Sequence, residues 1–171
     1  LTGNGRTGDY FACQDAGIDP VVVTWAKGLS AGLPIGACVA TGRASSLFTP
    51  GAHGSTFAGN PVAASAGLVV QQYFDEGLVD HVKSIGRRLR TVLSSLPHVV
   101  QVRGRGLMLG VVLDSPIAKE VVSEARERGV ILNAPAESVL RITPPLVLTD
   151  EECDEGVSRL KESLRSVVRD Q

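Results

Sequence analysis

The apolar residues between positions 78 and 96 recur every three or four residues, which is the spacing of an amphipathic helix. They are Leu78, Val82, Ile85, Leu89, Val92 and Leu96. Positive side chains fall between them, namely Lys83, Arg87, Arg88 and Arg90. We therefore predict a helix over residues 78–96 with one buried face and one basic outer face.

Capping signals predict two more helices in the second half of the chain. One covers residues 114–129, with Asp114 or Ser115 as its N-cap. The other covers residues 149–170, because Thr149–Glu152 has the spacing of a capping box.

Short apolar runs bounded by glycine or proline predict strands. Residues 99–114 contain two such runs around Gly104 and Gly106, a pattern typical of a hairpin with a tight bend. Further short strands are predicted at residues 129–135 and 139–145. Helices and short strands thus alternate after residue 77, which predicts an α/β sandwich.

The first half of the chain has a different pattern. Residues 19–26 and 35–42 each hold an apolar run that predicts a buried strand, and a short helix is predicted at residues 9–16. A longer helix follows Pro61, with an apolar stripe formed by Val62, Ala66, Val69, Val70 and Tyr73. Two such strands do not form a stable sheet alone, and the chain opens at Leu1 rather than Met. We therefore expect a piece of a longer protein.

Composition narrows the functional classes. The chain has 171 residues, 43% of them hydrophobic, and a formal net charge of −1. This predicts a folded core and gives no support for binding to nucleic acid or to an anionic membrane. The three cysteines are far apart and no Cys/His cluster is present, so we expect neither a metal site nor a disulfide framework, as in a reducing cytoplasm. No apolar run reaches the roughly 18 residues of a membrane span.

Lys27 is the only charged residue in the stretch VVVTWAKGLSAGLPIGA. It follows a predicted buried strand, and ligand sites of α/β sheets form at the carboxyl ends of strands. Partial desolvation there would favour a neutral, nucleophilic amine. A surface lysine at a strand end is the alternative interpretation.

The loop His53–Pro61 holds two adjacent hydroxyls, Ser55 and Thr56, between glycines and ahead of a helix. Hydroxyls, free backbone N–H groups and a helix start together favour a phosphate site. The alternative is an ordinary loop in which Asn60 caps the helix.

Arg141 lies in the otherwise apolar segment VLRITPPLV. A partly buried arginine needs an anionic partner, and its planar guanidinium can hold a carboxylate through two parallel hydrogen bonds. A substrate carboxylate and a structural ion pair both fit this pattern.

The segment Gly3–Gly8 matches G-x-G-x-x-G, but only two residues precede it. A dinucleotide fingerprint requires a strand before the glycines and a helix at their end. A turn with positive φ at its glycines is the favoured interpretation.

Four stretches, in this order along the chain, together resemble the class III pyridoxal-phosphate aminotransferases. They are TGNGRTGDYFACQDAGIDPVVVTWAKGLSAGLPIGACVATG, TPGAHGSTFAGNPVA, VRGRGLMLGVVL and LRITPPLV. The resemblance covers essentially the whole chain and is closest to the acetylornithine-specific branch of arginine biosynthesis, in an actinobacterial, corynebacterium-like form. It implies a cytoplasmic enzyme that moves the terminal amino group of N2-acetylornithine to 2-oxoglutarate, which leaves as glutamate.

The resemblance also implies a fold, PLP-dependent transferase fold type I. The family has a large domain with a mostly parallel seven-stranded sheet and a smaller C-terminal α/β domain, and it works as a homodimer. On this basis residues 1–77 are the C-terminal part of the large domain, incomplete at its N-terminus, and residues 78–171 are the small domain. Other parts of the family's site, including the aspartate for the pyridine nitrogen, precede Leu1.

The family's motifs imply roles for four residues of this chain. Lys27 matches the lysine that forms a Schiff base with pyridoxal 5′-phosphate. Ser55 and Thr56 match the hydroxyl pair that reaches the cofactor phosphate of the neighbouring subunit. Arg141 matches the arginine that binds the substrate α-carboxylate, and no metal is implied.

The chain departs from the family's pattern at three places. Ser30-Ala31-Gly32 stands where a string of glycines is usual, Ala58 replaces a glycine, and Leu1 replaces a glutamine. Two alternatives stay open: another ω-aminotransferase, for ornithine, succinylornithine or 4-aminobutyrate, and an inactive truncated fragment. Because the upstream site residues are absent, we expect the 171-residue chain alone to be inactive.

Overall fold

The computed structural model describes residues 2–169. The described residues exclude Leu1, which replaces a glutamine of the family. They also exclude Asp170, the last residue of the predicted terminal helix. The chain divides into two compact units, one made of residues 2–5 and Asp9–Val79, the other of Arg6–Gly8 and the residues from Asp80 onward. None of the helices within residues 2–169 is both long and apolar enough to cross a membrane.

The first unit combines one antiparallel strand pair with helices. Its elements are α1 (Ala12–Asp15), β1 (Val22–Trp25), a 3₁₀ helix (Lys27–Ser30), β2 (Ala37–Ala40), a second 3₁₀ helix (Gly42–Ser46) and α2 (Pro61–Asp75). The strands β1 and β2 pair from Val22 opposite Ala40 to Trp25 opposite Ala37. Pro61 occupies the first turn of α2, where its missing N–H costs nothing.

The prediction that β1 and β2 are buried strands is wrong for the described residues. Val22 is 45% exposed and Val39 is 50% exposed, because a two-stranded sheet offers little area for other elements to cover. The apolar stripe of α2 is exposed at Val62, Val69 and Tyr73. Ala63, outside the stripe, is the one buried residue of this helix. The helix and both strands were thus predicted correctly, but the burial of the two strands was not.

Aromatic side chains supply much of the packing in the first unit. Tyr10 meets Phe11 and Phe74 edge to face, with ring centroids 4.7 and 4.8 Å apart, and Phe11 meets Trp25 at 5.2 Å. Such pairs are favoured geometries. The cluster fixes the end of β1, one residue before the turn that carries Lys27.

The second unit is a four-stranded antiparallel sheet with helices, as the α/β prediction requires. Its elements are α3 (Leu78–Ser94, whose first two residues fall in the first unit), β3 (Val99–Arg105), β4 (Met108–Leu113), α4 (Ala118–Glu127), β5 (Asn133–Ala136), β6 (Val139–Ile142) and α5 (Asp150–Arg169). The strand order is β3-β4-β6-β5. The core consists of the inward side chains of β4, β6 and the three helices, including Val82, Leu89, Val111, Val121, Leu140, Leu160 and Leu164.

Helix caps in the second unit confirm one prediction and overturn another. The Thr149 hydroxyl accepts the Glu152 N–H at 3.1 Å, and the Glu152 carboxylate accepts the Thr149 N–H at 2.9 Å, as predicted for a capping box. Neither Asp114 nor Ser115 caps α4, which begins at Ala118 without a side-chain cap. The two side chains bond each other instead, and Asp114 also contacts His98.

Three residues from the start of the chain complete the second unit. The half-buried guanidinium of Arg6 donates to the carbonyls of Leu107 and Pro144, the latter at 2.5 Å. Burial lowers the pKa of Arg6 from its ordinary value. The Leu107 N–H also donates a hydrogen bond to the Arg6 carbonyl, at 3.0 Å. The Gly3–Gly8 motif is therefore a tight turn, with positive φ at Gly5 and Gly8, and no helix opens at its end.

Candidate active site

The four residues that the family motifs select fall in both units. Lys27, Ser55 and Thr56 belong to the first unit, and Arg141 belongs to the second. The geometry of each is described within its own unit.

Lys27 opens the turn that follows β1 and is exposed, so the partial desolvation expected from its place after an apolar run is not found within residues 2–169. Its φ is +56°, in the left-handed region, although it is not a glycine. The preceding Ala26 has φ −158° and ψ −141°, outside the usual regions. Non-glycine residues in such conformations are costly and concentrate at functional sites. An ordinary surface lysine at the end of a strand has no need of a left-handed backbone. The conformation of Lys27 therefore favours a functional role.

The turn around Lys27 is held on two sides by residues that the sequence interpretation did not select. The Leu29 N–H closes the turn on the Ala26 carbonyl at 3.3 Å, and the Asn4 Nδ2 donates to the same carbonyl at 3.4 Å. On the other side, the fully buried Ser30 hydroxyl donates to the Ala63 carbonyl at 2.6 Å. The departure from the family's glycines at Ser30 was the only sequence signal for this arrangement.

Ser55 and Thr56 lie in an exposed loop ahead of α2. Asn60 caps that helix, because its side-chain oxygen accepts the Ala63 N–H at 2.9 Å, and Pro61 has no N–H to offer. The helix start therefore has few free donors, and Ser55 and Thr56 add two exposed hydroxyls in the same loop.

Arg141 is exposed, whereas the sequence predicted partial burial. The reason is the alternation of β6, in which Leu140 and Ile142 face the core and Arg141 faces the other way. It stands opposite Gly110 of β4 and Asn133 of β5. No carboxylate within residues 2–169 forms an ion pair with Arg141, so the structural ion-pair interpretation gains no support.

A cavity of about 350 Å³ lies in the second unit and includes Arg141 in its lining. Most of the lining is apolar, with Asn133, Thr143 and Glu152 as further polar members. The Glu152 carboxylate is engaged at the start of α5. Arg141 thus borders this cavity and has no ion-pair partner among residues 2–169.

The described part of the chain contains neither a disulfide bond nor a cluster of metal-binding side chains. Cys13, Cys38 and Cys153 are all free thiols. Burial raises the pKa of Cys153. Within residues 2–169, no three His, Cys, Asp or Glu side chains converge as metal ligands would.

Comparisons with known proteins give one consistent result. The family model described as Aminotransferase class-III matches residues 1–164. The chain is 54% identical to an acetylornithine aminotransferase of Corynebacterium efficiens over 159 residues, which cover 93% of this chain and 40% of that protein. The N-acetylornithine aminotransferase of Stenotrophomonas maltophilia has a similar structure, with a TM-score of 0.85 at 31% identity over 99% of this chain and 46% of that one. An ornithine aminotransferase of Toxoplasma gondii, described with partial occupancy of PLP at its active site, gives 0.87 at 31% identity over 99% of this chain and 42% of that one. The chain thus spans less than half the length of these relatives.

Proposed function

Because the chain belongs to the class-III aminotransferase family, we propose that the complete protein containing it transfers the terminal amino group of N2-acetylornithine to 2-oxoglutarate, with pyridoxal 5′-phosphate as its cofactor. The observation that carries the proposal is Lys27, a primary amine exposed at the end of β1 on a left-handed backbone. Similarity to the C. efficiens acetylornithine aminotransferase supports the choice of substrate.

The residues present fit the cofactor by their chemistry. An aldehyde requires a primary amine, which Lys27 offers in exposed form. A phosphate requires hydrogen-bond donors, and Ser55 and Thr56 offer two adjacent exposed hydroxyls. Lys27 would hold the cofactor covalently, and the hydroxyl pair would bind the phosphate of the neighbouring subunit's cofactor in a homodimer.

Catalysis in this proposal rests on proton transfer by one amine. Pyridoxal phosphate, when bound, supplies the reactive aldehyde and a conjugated ring that stabilises negative charge. The Nζ atom of Lys27 accepts the proton from the substrate carbon that carries the amino group, and it then returns a proton as a general acid. The turn fixes the direction in which the Lys27 side chain leaves the backbone, which favours a productive geometry.

In this proposal, Arg141 binds the carboxylate of 2-oxoglutarate. The residue is exposed and borders a mainly apolar cavity, and no carboxylate within residues 2–169 forms an ion pair with it. Two parallel N–H···O bonds orient a carboxylate as well as bind it. Free thiols agree with a cytoplasmic location, which is part of the proposal.

The first test uses Lys27→Ala in the complete gene product incubated with pyridoxal phosphate. We expect loss of the visible absorbance and of activity, and borohydride reduction of the wild type should place the covalent adduct on Lys27 by peptide mass mapping. Lys119→Ala changes an exposed lysine of α4 and serves as the control. An adduct on any other lysine, or an active yellow Lys27→Ala variant, would overturn the proposal.

The second test uses Arg141→Lys, which keeps the charge and removes the planar fork. Since a hydrogen bond to a charged group is worth about 1.5–3 kcal/mol, KM for 2-oxoglutarate should rise by roughly 10- to 100-fold. Arg126→Lys, at an exposed position of α4, should leave KM unchanged. An unchanged KM in the Arg141 variant would assign that residue a structural role.

Substrate trials separate the proposal from its alternatives. Acetylornithine should give the highest kcat/KM among acetylornithine, ornithine, succinylornithine and 4-aminobutyrate. A preference for ornithine would instead match the T. gondii relative. The 171-residue chain alone should give a weak imine band or none with pyridoxal phosphate, and a strong band from it would contradict the expectation of an inactive fragment.

A further inference from the structure

The turn that presents Lys27 needs support from outside itself. Lys27 and Ala31 both have positive φ, at +56° and +49°. An unfavourable conformation for a non-glycine residue thus occurs at the first residue of a short 3₁₀ helix and again directly after its last residue. Such conformations persist only where surrounding contacts determine them.

Asn4 supplies the first contact. Its side chain is 5% exposed, and its Nδ2 donates to the Ala26 carbonyl at 3.4 Å. The same side chain lies beneath Gly28, where an added Cβ would come within 3.8 Å of Nδ2 and 3.9 Å of the Asn4 Cβ. Asn4 is thus hydrogen-bonded to the residue before Lys27 and lies near the residue after it.

Ser30 supplies the second contact, at the other end of the turn. Its hydroxyl is fully buried and donates to the Ala63 carbonyl of α2 at 2.6 Å. One turn further along α2, an added Cβ at Gly67 would meet the Leu29 carbonyl at 3.3 Å. The backbone of the Lys27 turn therefore lies directly against α2.

The Asn4 side chain is not arranged for stability alone. Its Oδ1 is buried without a hydrogen-bond partner among the described residues, and an unsatisfied buried acceptor is unfavourable. Asn4 also has φ +53°, which asparagine tolerates better than most residues. A glycine at this position would keep the backbone conformation and remove the orphan oxygen.

We propose that Asn4 and Ser30 are positioning residues, which hold the Lys27 turn from its two ends and so set the orientation of the Lys27 amine. The inference rests on the proposed function, since it assigns these residues a role toward the lysine that would hold pyridoxal phosphate. Neither residue is placed in contact with reacting atoms.

The test uses the complete gene product loaded with pyridoxal phosphate, in the variants Asn4→Gly, Ser30→Ala and the double variant. Ser45→Ala is the matched control, because Ser45 also donates its hydroxyl to a carbonyl in a 3₁₀ helix of the first unit, at 2.7 Å, but on the exposed Gly42–Ser46 segment. The readouts are the pH midpoint of the visible absorbance, the rate of cyanoborohydride trapping on Lys27, and the melting temperature of the cofactor-free protein.

We expect the pH midpoint to move and the trapping rate to fall by about tenfold in both single variants, while Asn4→Gly melts close to the wild type. Because both residues hold one turn, the double variant should be less impaired than the product of the two single effects. Ser45→Ala should match the wild type in all three readouts.

Midpoints and trapping rates of Asn4→Gly and Ser30→Ala equal to those of Ser45→Ala would overturn the positioning role. In that case Lys27→Ala would still lose the absorbance, so the proposed function would stand. Retention of the absorbance by Lys27→Ala would instead refute the proposed function. Should Ser30→Ala not fold, Asn4→Gly alone decides, because it introduces neither strain nor a buried polar group.

Discussion

Two helical glycines of the second unit should respond to the same substitution with opposite signs. Gly86 lies within α3 and Gly156 within α5. An added Cβ at Gly156 meets nothing within 4 Å, whereas at Gly86 it would lie 2.6 Å from the carbonyl oxygen of Gly106 and 2.7 Å from its carbonyl carbon. The substitution to alanine is therefore a test of one backbone contact.

The expected magnitudes follow from a gain common to both sites and a cost at one. Alanine is favoured over glycine inside a helix by about 0.8–1.0 kcal/mol. Gly156→Ala should be stabilised by most of this amount, because the added Cβ meets no other atom. At Gly86 the overlap is with backbone, and overpacking costs typically about 1–3 kcal/mol. Gly106 cannot move away from α3, because the backbone of Thr7 and Gly8 lies on its other side. An added Cβ at Gly106 would come within 2.5 Å of that backbone.

Urea unfolding followed by circular dichroism measures both variants in the same protein. We expect the free energy of unfolding to rise by up to about 1 kcal/mol for Gly156→Ala and to fall by up to about 2 kcal/mol for Gly86→Ala, once the helix gain is subtracted from the overpacking cost. An equal rise in both variants would refute the close approach of α3 to the β3–β4 turn. A fall at Gly156 would show that α5 is held by contacts other than those described.

Three further predictions concern the second unit and the cysteines. Arg6→Met should lower the free energy of unfolding by about 1.5 kcal/mol, the lower end for charged hydrogen bonds because the guanidinium is only half-buried; no loss in urea unfolding would contradict the role of its two carbonyl partners. Ser115→Ala should raise the pKa of Asp114, since the hydroxyl hydrogen bond is the main interaction that lowers it, ahead of His98. A lowered folded-state pKa adds stability above the unfolded pKa and loses it as pH falls through the folded value, so this variant should lose stability less steeply on acidification; an unchanged carboxyl titration by NMR would count against it. Iodoacetamide should modify exposed Cys38 before Cys153, whose thiol is buried and whose pKa that burial raises; faster labelling of Cys153 in mass mapping would disprove this.

Periodic helices and a hairpin were predictable because their signals are local. The apolar positions of α3 and the capping box of α5 lie within a few residues of each other, and both are present in the structure. The glycines of the β3–β4 turn likewise mark a bend that the backbone requires.

Burial and long-range contacts were not predictable from the same patterns. An apolar run such as Val22–Trp25 shows that a strand forms, but exposure depends on what the rest of the fold provides to cover it. Arg141 was expected to be partly buried from its apolar neighbours, yet strand alternation turns it outward. The support that Asn4 gives to the Lys27 turn joins residues 22 positions apart, and no local pattern reports it.

The three residues that the second unit takes from the start of the chain make its assembly a late event. Arg6 is synthesised 101 residues before Leu107, its hydrogen-bond partner. At about 5–20 residues per second, this separation means a wait of roughly 5–20 s. During that interval the β3–β4 turn does not yet exist, so Arg6 lacks the Leu107 partners that it has in the folded unit. A gene segment cloned from residue 80 onward would likewise encode a unit whose Leu107 N–H has lost its acceptor, however completely its own helices form.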